Sequence, residues 1–119
     1  MNLNEFKIAK ALNEIEVPWD YEPQIEINGE IFYPDFLLKN KIIIECYGKY
    51  WHADPRYFNK DHIFYKKHRA SEIWEEDQKR VSTLESGGYN VFIFWESDII
   101  SNYESVKIEL RRITNELCI

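Results

Sequence analysis

Five residues raise a chemical question before any fold is assigned. Asp35 stands beside the apolar run Phe36-Leu37-Leu38, and Glu45 closes the run Ile42-Ile43-Ile44. Glu5 and Asp77 interrupt apolar stripes of helical spacing, and His52 follows a glycine turn at Gly48. An isolated carboxylate is costly to place among apolar side chains. Taken singly, each acid fits a salt bridge or a buried hydrogen bond, since structural ion pairs also perturb such groups. Taken together, carboxylates in a dry place either take up protons or hold a cation. An all-oxygen set with one imidazole nearby suits a hard divalent ion, Mg²⁺ or Mn²⁺. Zinc would need more His and Cys than this region offers. A histidine beside a turn is commonly a surface residue. Beside a carboxylate cluster it becomes a candidate base, because its unperturbed pKa lies near neutrality.

The elements that position these residues follow from periodicity. Residues 2–15 repeat apolar side chains at helical spacing through Leu3, Phe6, Ile8 or Ala9, Leu12 and Ile15, with Asn2 or Asn4 as cap. Asn28-Gly29 between alternating apolar positions predicts a hairpin, with strands near 23–28 and 30–38. Lys39-Asn40 turns the chain into a third strand over 41–47, whose β-branched run suits a central position. Counted back from that turn, Asp35 falls within a residue of Glu45, so two adjoining strands bring their carboxylates together. Residues 53–68, which include Pro55, read as loop with a short helix at most. Residues 69–86 form a helix stopped by Gly87-Gly88. Its stripe runs through Ala70, Ile73/Trp74, Asp77, Val81 and Leu84, which aims a carboxylate at the core or a cleft beside it. Residues 90–96 predict a buried strand, parallel to a partner across that helix. Residues 103–117 predict a closing helix with Val106, Leu110, Ile113 and Leu117 on one face. The order α-β-β-β-α-β-α implies an α/β chain, a mixed sheet with helices on its faces.

The bulk numbers bound the function. The chain has 119 residues, 45% hydrophobic and 16% aromatic, which predicts one packed domain rather than disorder. A net charge of −6 argues against a surface wholly devoted to a polyanion, though not against a local patch. Residues 60–69, KDHIFYKKHR, hold four Lys/Arg and two His against one acid, interleaved with aromatics. That strip is either a solvated loop or a surface that touches phosphates and stacks bases. Cys46 and Cys118 are too few and too far apart for a disulfide scaffold, and read as reduced thiols in a cytosolic protein. The opening MNLNEFKIAK lacks a signal-peptide profile, and the longest apolar run, VFIFW, is too short to span a membrane.

In combination these residues carry a resemblance. Glu5, Pro34-Asp35, Glu45, Gly48-Lys49-Tyr50-Trp51-His52, Asp77 and Phe94-Trp95-Glu96 stand in an order similar to the very short patch repair endonucleases. The order is closer still to phage homing endonucleases whose pattern is written EDxHD. Both groups belong to the PD-(D/E)xK nuclease superfamily. The likeness runs from about residue 4 to residue 99 and implies a restriction-endonuclease-like αβββαβ core. It implies hydrolysis of a DNA phosphodiester with a divalent metal, often as a nick in one strand. On that pattern Asp35 is the main metal ligand, completed by Glu45 and the backbone carbonyl of Cys46. His52 serves as general base or holds the attacked phosphate, Asp77 fixes its tautomer, and Glu5 binds a metal-bound water. Tyr50 and Trp51 resemble the aromatics the repair enzymes wedge into DNA, or serve packing; with Lys49 and with Lys60, Lys66, Lys67 and Arg69 of the basic strip they make up the expected DNA-contacting set.

The departures from the pattern matter too. The superfamily's lysine after the second acid is Tyr47 here, which leaves proton handling to His52. GKYWHADPRY lacks the ligands of the repair enzymes' structural zinc, so no zinc is expected. Cys46 replaces a second histidine of those enzymes, which weakens the case for a mismatch-repair activity. Three functions stay open at this point. The first is a Mg²⁺-dependent DNA endonuclease or nickase, whether free-standing or the catalytic part of a longer protein that reads DNA through an appended segment or a second copy. The second is an inactive nuclease fold that binds nucleic acid. The third is a nuclease acting on RNA or branched DNA.

Overall fold

The structure, a computed structural model, describes residues 1–64 and 67–117, the last two of these through their backbone only. Lys66 and Cys118 lie outside the described residues, as does the side chain of Leu117.

The first helix, α1 (Leu3–Glu14), starts at Asn2. The Asn2 side chain accepts from the Glu5 amide at 2.9 Å, and Glu5 Oε1 accepts from the Asn2 amide at 2.9 Å. This reciprocal box satisfies two amides that a helix start otherwise leaves unpaired. The face it buries is Glu5, Ile8, Ala9, Ala11 and Leu12. Leu3 and Phe6, expected on that stripe, remain 61% and 62% exposed. They lie on neighbouring rows of the helix, outside the row that meets the sheet.

A four-stranded sheet has the order β1-β4-β5-β6, from β1 (Asp20–Tyr21), β4 (Phe36–Leu38), β5 (Ile42–Tyr47) and β6 (Asn90–Trp95). The hairpin β2 (Ile25–Ile27) and β3 (Glu30–Phe32) forms around Asn28-Gly29, whose φ values of 51° and 81° are those a type I′ turn requires. It stands as a separate two-stranded sheet. The single strand expected over 30–38 is therefore broken at 33–35. Pro34 has no amide to give a ladder and is fully buried at the break, so β3 and β4 belong to different sheets. The expectation also omitted β1, which pairs antiparallel with β4 through Asp20–Leu37 and Tyr21–Phe36.

β4 pairs antiparallel with β5, Phe36 opposite Ile44 and Leu38 opposite Ile42. The turn between them places Asn40 and Lys41 at φ 59° and 57°. Continued by one step, this register sets Asp35 opposite Glu45. β5 lies inside the sheet as expected, and Ile42, Ile43 and Ile44 are all fully buried. Each such side chain contributes about 2 kcal/mol by burial. β6 runs parallel to β5, across helix α2 (Ala70–Ser86). It is an edge strand and only Phe94 is buried, where a fully buried strand was expected. α2 ends at Gly87, and Gly88 takes the left-handed conformation, φ 90°. A short helix α3 (Glu96–Ser101), not anticipated from the sequence, precedes α4 (Tyr103–Leu117).

The two sheet faces carry different layers. Phe36, Leu38, Ile42, Ile44 and Phe94 pack with α1, α3 and α4 through Ile8, Leu12, Ile99, Val106, Leu110 and Ile113. Ile43 packs on the opposite face with Leu84 of α2 and with Ile25, Ile27 and Phe32 of the hairpin. Among the described residues no helix is long and apolar enough to cross a membrane.

Candidate active site

The alternation of β5 sends Ile43, Glu45 and Tyr47 toward α2, and Ile42, Ile44 and Cys46 toward the α1 layer. Glu45 is 5% exposed. Asp35, in the bend before β4, meets the same strand end, and its Oδ2 accepts from the Cys46 amide at 2.7 Å. Burial, and then the charge of Glu45, push the Asp35 carboxyl up to about 7, with Glu5 adding to the rise and the Cys46 amide opposing it. Burial raises Glu45 as well, against the pull of Arg80. The two strand acids thus share one low-dielectric spot, where the charge of Glu45 disfavours the ionisation of Asp35.

Sequence reasoning did not foresee the partner of Glu45. Arg80 Nη2 donates to Glu45 Oε1 at 3.0 Å, and its guanidinium lies 5.6 Å from the centre of the Phe32 ring. Periodicity carries the placement of Arg80 but not its partner: Ile73, Asp77, Arg80 and Leu84 follow one another at four, three and four residues, a single helix row. Asp77 lies one turn earlier on that row and accepts from His52. Nδ1 of His52 and Oδ2 of Asp77 are 2.8 Å apart, with side chains 31% and 21% exposed. With Nδ1 committed to Asp77, Nε2 is the nitrogen left for chemistry.

His52 is held from two further directions. Its ring stacks on Tyr47, centroids 3.9 Å apart and planes 6° from parallel. Its loop is pinned by Asp54, fully buried and bound to Arg56, which reaches on to Ser97 and Asp98 of α3. Trp74 Nε1 of α2 donates to the Ala53 carbonyl at 2.6 Å. Tyr47 is 3% exposed and its hydroxyl has no hydrogen-bond partner among the described residues. Burial, with Asp77 and Glu45 nearby, keeps that phenol protonated.

Glu5 serves the helix start with Oε1, while Oε2 accepts from the Tyr21 hydroxyl at 3.2 Å. Both oxygens are therefore engaged within the protein. The Cys46 thiol is pushed up by burial and by Asp35, Glu5 and Glu45 in turn, so it stays a neutral thiol. Glu96, read as the last residue of the strand over 90–96, is instead the first residue of α3. Its Oε1 accepts from Asn4 Nδ2 at 3.3 Å and from the Lys49 amide at 3.4 Å, which ties the turn before His52 to α1. His52, Trp51, Cys46, Gly48, Glu96 and Leu3 line an open cleft of about 410 Å³.

The residues expected to touch nucleic acid are less closely grouped. Lys49 lies over the Tyr57 ring at 4.0 Å, and Tyr50 packs edge-on against Phe64 at 4.9 Å while staying 43% exposed. Trp51 is 61% exposed beside the cleft. Lys60, Lys67 and Arg69 are exposed, Arg69 at the start of α2.

Among the described residues no three His, Cys, Asp or Glu side chains come together to enclose a metal ion. Asp35 and Glu45 offer two carboxylates, brought together at the end of β5. This sparse oxygen set fits Mg²⁺, which is held through one or two carboxylates and keeps several waters. It does not fit zinc.

No protein-family model matches the chain, and no curated protein matches it. Among solved structures it is similar to the catalytic domain of the homing endonuclease I-Bth0305I. The TM-score is 0.67, with 19% identity over 98% of each chain. The chain therefore has the fold of a homing endonuclease catalytic domain.

Proposed function

We propose that this protein is a divalent-metal-dependent DNA endonuclease, one that nicks a strand by hydrolysing its phosphodiester. The observation that carries this reading is the convergence of two acid sets. Asp35 and Glu45 share a buried spot at the end of paired strands, and His52, paired to Asp77 at 2.8 Å, stands near enough for its charge to act on Glu45. The fold it shares with a homing endonuclease catalytic domain agrees with that reading.

Asp35, Glu45 and the Cys46 carbonyl would hold the ion. When bound, the ion supplies a Lewis acid that makes water more acidic and offsets charge on the phosphate. His52 Nε2 takes the proton of the attacking water, and Asp77 holds the ring in the right tautomer and stabilises the imidazolium that results. Tyr47 fixes the plane of the ring from below. Glu5 positions the Asn2 end of α1 at the rim of the cleft. The Asp54–Arg56–Asp98 network keeps the His52 loop from drifting. DNA is the proposed substrate, approached across Lys49, Tyr50, Trp51 and the exposed Lys60, Lys67 and Arg69.

One observation favours a second reading, a nuclease fold that binds nucleic acid without cutting it. Glu45 is already paired to Arg80 and Asp35 to the Cys46 amide, so both acids are satisfied by the protein alone. Supercoiled plasmid incubated with Mg²⁺ or Mn²⁺ separates the two. Nicking by the wild type, abolished in both Asp35→Ala and His52→Ala, supports the enzyme. Binding without nicking in every form overturns it in favour of the module. Competition by branched DNA or RNA, stronger than by duplex, would move the substrate class.

A further inference from the structure

Arg80 is absent from every role assigned so far, yet among the described residues it is the cation that an ion-pair contact sets on the carboxylate spot. It makes a single bond to Glu45, at 3.0 Å through Nη2. A guanidinium carries five N–H donors in a rigid fork, so one bond leaves most of them uncommitted by this contact. The side chain is 32% exposed while Glu45 is 7%, which places Arg80 as the outer member of the pair. It lines an open groove of about 370 Å³ between the β2–β3 hairpin and α2, beside Phe32, Asp77 and Lys79. The groove also holds Glu30 and Glu76, so an anion enters it only where a cation is fixed.

The strand itself offers no such cation. Two residues after Glu45, on the same face, stands Tyr47, whose hydroxyl is buried, without a hydrogen-bond partner among the described residues, and protonated. It stacks on His52 and carries no charge to give a phosphate. Arg80, by contrast, projects from α2 to the same carboxylate, one turn beyond the residue that orients His52.

We propose that Arg80 binds the phosphate of the nucleic-acid backbone next to Glu45, so that the fixed cation of this site comes from helix α2 and not from the strand. This rests on the nuclease reading for its substrate but is tested by binding alone. Glu45 fixes the guanidinium with one N–H, and the outward donors take the phosphate oxygens, two at once where the geometry is bidentate. An arginine suits the task better than a lysine. It keeps its charge beside Glu45 and holds its donors in a plane.

The test is the salt dependence of affinity for a short DNA duplex, read by fluorescence anisotropy in Ca²⁺. Loss of one phosphate contact makes the log–log slope shallower by about 0.9. Arg80→Gln is expected to show that change and to bind several-fold more weakly at low salt, while Arg80→Lys keeps the wild-type slope. Arg80→Gln also leaves Glu45 buried without its partner, which can unfold the chain. The pair Glu45→Gln and Glu45→Gln/Arg80→Gln avoids this, because neither variant buries an unpaired carboxylate at that position. A slope about 0.9 shallower in the double variant than in Glu45→Gln supports the proposal. Equal slopes in that pair overturn it and leave Arg80 a structural partner of Glu45. Cleavage enters neither comparison, so a wild type that binds DNA and never nicks it removes the nuclease reading and leaves this test standing.

Discussion

Asp77 and His52 meet at 2.8 Å although 25 residues separate them, and the value of that contact lies in charge, not shape. Asp77→Asn keeps the size and a hydrogen-bonding oxygen but cannot stabilise an imidazolium. Its fold is expected to persist by circular dichroism while plasmid nicking drops about 100-fold or more, the scale of a lost acid–base partner. Normal turnover in that variant would take Asp77 out of the chemistry. Asp35 makes a different prediction. Its carboxyl is lifted from an ordinary 3.8 to about 7, first by burial and then by Glu45. Between those values the folded protein keeps a proton that the unfolded chain has released. The linked stability is complete below about pH 4 and is lost as pH rises through about 7, and Glu45 acts in the same direction. Thermal unfolding without divalent ion should therefore move to lower temperature across that window. Asp35→Asn should flatten the trend, and Mg²⁺ should stabilise most above pH 7, where both ligands are ionised. An Asp35→Asn curve parallel to wild type would show that other groups cause the trend.

At the scale of elements, the strand β6 is where expectation and structure differ usefully. Read as buried, its Trp95 would cost about 3–5 kcal/mol on truncation to alanine. On an edge strand it is only half-buried, packed edge-on to Tyr47 at 5.3 Å. Trp95→Ala should accordingly cost about 2 kcal/mol by denaturant unfolding, below the full core penalty. A second effect should follow, since Tyr47 supports His52: nicking should weaken more than stability alone explains. Loss of stability with unchanged nicking would show that the Tyr47–His52 stack stands without Trp95. The break at Pro34 has a similar lesson. Alternation alone read 30–38 as one strand, but a residue without an amide divides it, and the bend it makes carries Asp35 to the Cys46 amide.

For the molecule as a whole, a net charge of −6 sets the terms on which a polyanion is met. Lys49, Lys60, Lys67 and Arg69 are the exposed cations of the expected contact set among the described residues. Four phosphate contacts give a log–log salt slope of about −4 for duplex binding, and Arg80 would add one more. Anisotropy titrations from low to physiological salt measure it. A slope near −8 would mean that a further basic surface, or a second copy of the chain, shares the binding.

Several features were decided locally and so were legible in the residues. Asn28-Gly29 permits positive φ, an asparagine at position 2 or 4 caps one helix, and Gly87-Gly88 ends another. The count from the Lys39-Asn40 turn set Asp35 within a residue of Glu45. The row through Asp77 aimed a carboxylate inward before its partner was known. The pairing of Arg80 with Glu45, the stacking of Tyr47 on His52 and the bond from Glu96 to the Lys49 amide could not be read this way. Each joins segments whose separation in sequence carries no periodic signal, and each depends on how α2, β5 and the loop after it are packed. The separate hairpin sheet and the half-exposed β6 belong to the same class. Chain chemistry settles which backbone angles and which faces a segment prefers. Only the packed molecule settles which charge meets which, because that follows from distances no local rule contains.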